Sequence, residues 1–358
     1  MTRQFKIATV SALLLSVTSL GALGQDTPRP VLAAELSVSG AMAESTYSAF
    51  RKADGIPQPH LMAARRLADQ DNFWKTPILN TCYREDSGFG SQQIIKDPPP
   101  TKMTDNLYFL GVGWVSAWAI DTSDGIVLID SLDNAGEVEK YIIGGLRQLG
   151  ADLSRIKAVI VSHGHGDHYG GAKYFQDKFG ASIYMSVADW SFAAKNANNP
   201  NNRAKGFGPV PRRDIEVKDG DALTLGGTVI RMFLTPGHTP GTLSLLIPTR
   251  YKGQPHIIVF HGGVTSSNGL TPELHEEYDR TITHLAEVAA ETGADGYMAN
   301  HGNFDDIARK IIHLRTNAEQ PNPFLVGTAA TQRWLQIAKE CNLNNRDVDA
   351  ALAAKRKS

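Results

Sequence analysis

The sequence predicts an α/β fold in which two β-sheets pack face to face with helices on the outer surfaces. Three observations predict it. Residues 105–302 hold two β-rich blocks, each followed by helical patterns, and a layered sandwich is a stable way to bury the apolar face of each sheet. The run IKAVIVS at 156–162 is short and continuously apolar, as expected of a strand covered on both sides. The chain has 358 residues, 42% of them hydrophobic, which suffices for one large core or two modest ones.

The elements follow in chain order. Residues 1–24 read as a secretory signal peptide: Arg3 and Lys6 precede an apolar or small stretch at 7–23, and Ala22-Leu23-Gly24 offers the small residues of a cleavage site after Gly24. The alternative, a retained membrane anchor, is at the short limit for a ~30 Å hydrocarbon core. Residues 25–103 read as an extension. Leu61, Ala64, Leu67 and Ala68 have helical spacing, and KDPPP at 96–100 halts regular structure as a linker. A domain at 104–316 follows. NLYFLGVGWVSAWAI and GIVLIDS are β-rich runs separated by the turn signal DTSDG. VEKYIIGGLRQLG at 138–150 is helical, and GAKYFQDKFG at 171–180 is a helix with Gly180 as its C-cap. DALTLGGTVIRMFLT predicts two strands around Gly226-Gly227; GTLSLLIP, HIIVFHGG and GYMANHG add three more, and a long helix covers about 272–291. The tail, 317–358, predicts two helices from Thr331 onward, broken at Asn344-Asn345.

Composition excludes some functions. A net charge of −1 gives no global field toward nucleic acid or an anionic membrane surface. No second long apolar run follows the leader, so the mature chain is expected to have no stable membrane insertion. Oligomeric state is not encoded in any pattern. The two cysteines, Cys82 and Cys341, fit either one disulfide in an oxidising compartment or buried thiols. Cys341 shares a helical face with Trp334, Ile337 and Ala338.

The densest chemistry lies in SHGHGDHYGG at 162–171. Two histidines separated by one residue in a loop can turn both imidazoles to one point, while the adjacent Asp167 and His168 point to different sides of a bend. Gly164 and Gly166 would supply the backbone angles such crowding needs. That suits two neighbouring metals. Catalytic zinc takes three protein ligands and leaves a position for water, so two more strand-end histidines complete the sets. His163, His165 and His238 form the first; Asp167, His168 and His301 form the second. Neither cysteine is near these motifs, so the ligands are nitrogen and oxygen. A metal-binding protein without catalysis is the alternative, and such a site would normally close its coordination shell.

These motifs, HGHGDH, TPGHTPGT and ANHG, resemble those of the metallo-β-lactamase fold superfamily over about residues 106–306. The resemblance implies an αββα sandwich, in agreement with the block order. It also implies that Asp130, at the end of the LIDS strand, supports the ligand loop. Members that act on thioesters, lactones or phosphodiesters typically carry an Asp that bridges the metals at the place where Gly263 stands. Two subclasses of true β-lactamase carry a Cys near there. The third subclass of class B uses neither, and RRDIEVKDGDALTLGG and YKGQPHIIVF are similar to its loop and hairpin.

The resemblance therefore implies an exported, periplasmic or secreted hydrolase of a small-molecule substrate, with two Zn2+ per chain, opening a cyclic amide with a metal-bound hydroxide. Asp167 would both hold the second metal and orient the hydroxide as the catalytic carboxylate. Many members bind the substrate carboxylate with serines at the places of Gly263 and Thr265. Here Gly263 has lost the first hydroxyl and Thr265 keeps the second. Hydrolysis of another lactone, ester or amide is the rival expectation. His261 reads as an ordinary strand-end histidine.

Overall fold

The computed structural model describes residues 55–71, 73–74, 77–82, 97–197, 206–265, 271–317 and 319–355. The signal peptide at 1–24 and its cleavage site lie outside the described residues.

One sheet has seven strands in sequence order: β1 (Thr101–Lys102), β2 (Leu107–Phe109), β3 (Trp118–Asp121), β4 (Ile126–Ile129), β5 (Ile156–Ile160), β6 (Ser182–Ser186) and β7 (Ile215–Val217). The second has five, in the order β12-β11-β10-β9-β8: β8 (Ala222–Leu225), β9 (Thr228–Leu234), β10 (Leu243–Tyr251), β11 (Gln254–His261) and β12 (Gly296–Ala299). Strands β1 to β4 pair antiparallel and β4 to β7 pair parallel. Parallel neighbours need crossovers, which helices supply.

The helices are α1 (Pro59–Ala68), α2 (Pro77–Cys82), α3 (Ala135–Glu137) continuing through a π-helical Val138–Ile143 into α4 (Gly144–Gln148), α5 (Gly166–Tyr169), α6 (Ala172–Phe179), α7 (Val187–Ala197), α8 (Pro272–Glu291), α9 (Ile307–Thr316) and α10 (Thr328–Lys355).

Side chains alternate across each strand, and the alternation builds the layers. Trp118, Ile120, Val127, Ile129 and Ile160 of the first sheet meet Ile230, Leu245, Ile258 and Phe260 of the second in a buried central core. The opposite faces of the first sheet's strands, with Ala119, Leu128, Val159 and Ile183, pack on Val138, Ile142, Leu146 and Phe175. On the far side, Leu246, Val259 and Tyr297 pack on Tyr278, Ile282 and Leu285 of α8. This is the αββα sandwich.

The strand run at 106–120 is interrupted. Residues 110–117 form a loop between β2 and β3, and its Ser116 N–H donates to the Asn300 carbonyl at 2.8 Å. Short patterns hid β1, β7, α7 and α9, whose pairing or packing depends on distant partners.

The tail departs from expectation. α10 is one unbroken helix of 28 residues, with Asn344 and Asn345 buried within it. Asparagine costs only about 0.7 kcal/mol or less relative to alanine in a helix, and packing against α8 and α1 outweighs that. Asn342 shows how: its Oδ1 lies 2.8 Å from His275 Nδ1, and its Nδ2 donates to the His275 carbonyl at 2.9 Å.

The extension helices are part of the same core. Trp74 is fully buried between Trp334, 4.8 Å away, and Tyr297, 5.4 Å away, and its Nε1–H donates to the Ala330 carbonyl. Cys82 at the end of α2 is bonded to Cys341 of α10, across 259 positions of sequence. Cys341 is buried on the face with Trp334, Ile337 and Ala338, so it is both a core residue and a cross-link.

Candidate metal centre

Strand β5 ends inside the sandwich, and residues 161–165 lead from it directly into the single turn of α5. His163 and His165 sit in that loop; Asp167 and His168 sit on α5. His238 lies on the loop joining β9 to β10, and His301 follows β12. All six side chains meet at one edge of the sandwich. Among the described residues two groups have ligand atoms within 4.8 Å of one another: His163, His165 and His238, and Asp167, His168 and His301. The rings of His163 and His168 are 4.0 Å apart, so the groups share a wall.

Hydrogen bonds fix which atoms face inward. A carbonyl or carboxylate can only accept, so the nitrogen beside it donates. His163 Nδ1 donates to Gly262 O at 2.9 Å, His238 Nδ1 to Thr265 O at 2.9 Å, and His301 Nδ1 to Trp114 O at 2.7 Å. His168 Nδ1 donates to Asp130 Oδ2 at 2.8 Å. In the neutral rings Nε2 is thereby left to present a lone pair, and His168 Nε2 presents one once its extra proton is displaced. Yet His168 Nε2 and His301 Nε2 lie 3.1 Å apart, and His163 Nε2 lies 3.0 Å from His165 Nδ1. Asp167 Oδ2 joins the second group at 3.3 Å from His168 Nε2 and 3.6 Å from His301 Nε2. Nitrogen pairs this close are held by a shared proton or by a cation between them, and this donor set fits two metal ions.

The protonation equilibria agree. Burial, reinforced by neighbouring imidazoles, holds His163 far below the ordinary range; burial lowers His165 to about 3 and His238 and His301 to about 4. These are neutral, ligand-ready rings. His168 is the exception: burial would lower it, but the Asp167 and Asp130 carboxylates outweigh that and raise it to about 10. Burial opposes the ionisation of Asp167, yet His168 and His301 hold its carboxyl well below the usual range. Without metal, the second group therefore keeps one proton where positive charge is required.

Asp130 is fully buried and has φ of 59°, a left-handed conformation unusual for a side-chain-bearing residue. It accepts from His168, from Ser162 N–H at 2.7 Å and from Ser162 Oγ at 2.8 Å. It thus orients both the ring and the loop.

The loop glycines act differently from expectation. Neither Gly164 nor Gly166 has positive φ. A Cβ on Gly164 would lie 2.9 Å from Phe192 Cδ1, and one on Gly166 would lie 2.1 Å from Phe207 Cδ2. Close packing, not backbone conformation, requires them.

Gly263 is set by packing as well. Its Cβ would lie 2.6 Å from His238 Cβ and 2.9 Å from Thr242 Cγ2. It backs the His238 ring. The Thr265 carbonyl orients that ring, and the threonine side chain is partly exposed. His261 joins neither group; it is buried, 3.3 Å from the Tyr297 hydroxyl, and burial alone lowers it to about 3.

Sequence patterns gave no sign of Trp114, whose ring lies 5.6 Å from that of His301, or Phe192, 5.5 Å from His165. Trp114 acts partly through its carbonyl, which carries no residue-type signal.

The αββα sandwich thus places two candidate three-ligand metal groups at one edge. Residues 110–250 match the metallo-beta-lactamase superfamily. The chain is 30% identical over 130 residues to the hydroxyacylglutathione hydrolase of Acidiphilium cryptum, a match covering 36% of this chain and 43% of that protein. The chain thus spans less than half the length of that relative. The native FEZ-1 metallo-beta-lactamase of Legionella gormanii superposes with a TM-score of 0.61 at 24% identity, covering 74% of this chain and 99% of that one. BJP-1, a subclass B3 metallo-beta-lactamase of Bradyrhizobium japonicum, gives 0.60 at 23% identity, covering 74% and 98%. At that identity the likeness is one of fold.

Proposed function

We propose that this protein is an exported dizinc hydrolase that opens a cyclic amide in the manner of a β-lactamase. The observation that carries the reading is the ligand set: five histidines and one aspartate in two groups, with Gly263 where thioester and lactone hydrolases of the superfamily bring a bridging carboxylate. Zinc bound to such groups lowers the pKa of a bound water to about 7 and polarises a carbonyl oxygen.

The chain's own groups do the rest. His163, His165 and His238 hold the first ion; Asp167, His168 and His301 hold the second. The ionised Asp167 accepts a hydrogen bond from the attacking water and orients it. Trp114 packs beside His301 and Phe192 beside His165. Thr265 offers its hydroxyl to a substrate carboxylate. Export rests on the leader, with a mature N-terminus at Gln25. It is supported by the Cys82–Cys341 bond, since disulfides persist in oxidising compartments. No helix among the described residues is long and apolar enough to cross a membrane.

A second reading has its own support. His238 leaves no room for a side chain at Gly263, so one carboxylate anchor is missing, and a lactone or ester lacking that carboxylate loses nothing here. Turnover of a chromogenic cephalosporin, measured beside a lactone, an aryl ester and a thioester, tests both. The proposal requires the highest kcat/KM on the cephalosporin. A higher value on a neutral ester or lactone sinks it in favour of the second reading.

A further inference from the structure

The first ligand group is assembled from two loops far apart in sequence, and one side chain holds both. Asp189 lies in the first turn of α7, fully buried, and belongs to neither ligand group. Its Oδ2 accepts the backbone N–H of Gly164, the residue between His163 and His165, at 2.8 Å. The same oxygen accepts the hydroxyl of Thr239, the residue after His238, at 2.6 Å. Oδ1 accepts the backbone N–H of Gly241 at 2.8 Å. Ser186 Oγ in turn accepts the N–H of Asp189 at 3.1 Å and fixes the start of the helix. Both loops are pressed onto α7: a Cβ on Gly164 would lie 3.0 Å from Asp189 O, and one on Gly241 would lie 2.7 Å from Asp189 N.

We propose that Asp189 is a positioning residue for the first metal, setting the separation between His238 and the His163–His165 pair. It touches no ligand nitrogen and acts through the two loops. The second group has supports of its own, one of which, Asp130, also holds Ser162 at the head of the His163 loop. Asp130 holds His168, and Asp305 Oδ2 accepts Ala299 N–H at 2.9 Å, two residues before His301.

The chemistry demands a carboxylate. Three donors converge on it, two of them backbone N–H groups that cannot reverse. An asparagine would present an NH2 to at least one of these amides, whichever way it is flipped. Replacing such outer supports typically costs tenfold to hundredfold in metal affinity.

This inference rests on the reading of the two groups as metal sites, and the test separates the two. Zinc affinity of metal-free protein is measured by chelator competition in a His301→Ala background, which retains the first group, and in a His238→Ala background, which retains the second. Asp189→Asn should weaken the first site by about tenfold to hundredfold and change the second by less than about threefold. Equal losses at both sites would show a general structural role and overturn the proposal, as would an unchanged first site. Should Asp189→Asn fail to fold, Thr239→Val carries the test. It keeps the carboxylate and removes the Thr239 hydroxyl, with its contacts to Asp189 and to Thr242 Oγ1 at 2.8 Å, and it should weaken the first site alone, by about threefold to tenfold. No loss there overturns the proposal. If the unmodified chain binds no zinc, the metal reading fails and this inference with it.

Discussion

Gly263→Ser is the substitution on which the two accounts of that position divide. If the residue faced the substrate, a serine hydroxyl would restore a carboxylate anchor worth roughly 1.5–3 kcal/mol, and KM for carboxylate-bearing β-lactams would fall. The structure argues otherwise. The new Cβ would stand 2.6 Å from His238 Cβ and 2.9 Å from Thr242 Cγ2, against a normal carbon–carbon contact of about 3.5–4.0 Å. The first clash is with an atom held close to the backbone, so rotating a side chain does not relieve it. The His238 loop must shift by roughly 1 Å, and overpacking of this kind costs about 1–3 kcal/mol. Ligand distances are held to about 0.2 Å, so the displacement falls directly on the first metal. The same 1–3 kcal/mol corresponds to a loss of roughly fivefold to 150-fold in first-site affinity. Activity should therefore fall on charged and neutral substrates alike, and zinc titration should show a weakened first site. A variant with both zinc affinities intact and a lower KM only for carboxylate-bearing substrates refutes this reasoning.

Other outcomes follow from the same geometry. The mature protein should hold about two zinc ions per chain and lose activity on chelation; His301→Ala should retain about one. Metal analysis showing two ions in that variant would mean the ligand partition is wrong. Replacing Cys82 and Cys341 together by serine should lower stability in urea by about 2–5 kcal/mol, and an unchanged unfolding midpoint would show that the bond constrains nothing. Trp74→Ala removes a fully buried ring and should cost about 3–5 kcal/mol. A negligible change would show the extension to be an appendage.

The ligand loops were legible because metal chemistry restricts residue type: few side chains can serve, and five histidines and an aspartate at strand ends are hard to place otherwise. The sheets were legible from β-rich runs set off by glycine and turn signals, as at Gly226-Gly227, and the long helix at 272–291 from its pattern. What escaped notice depends on partners. Asp189 is a single acidic residue in an ordinary helix start, and its role comes from two loops, one of them about 50 residues away. Asn344 and Asn345 carry a turn propensity that packing overrides. Trp114 contributes a carbonyl. The reason for Gly263 is the neighbour that fills its space, and no linear pattern reports a neighbour.

The Cys82–Cys341 bond has a topological consequence. It turns the chain between those positions, 259 apart, into a closed covalent ring. Every candidate ligand, from His163 to His301, lies within that ring. A single protease cut between the cysteines opens the ring but releases nothing: the product keeps all its residues and gains one water in mass. It separates into two pieces only on reduction. Shedding a ligand loop from the oxidised protein takes two cuts, one on each side of it.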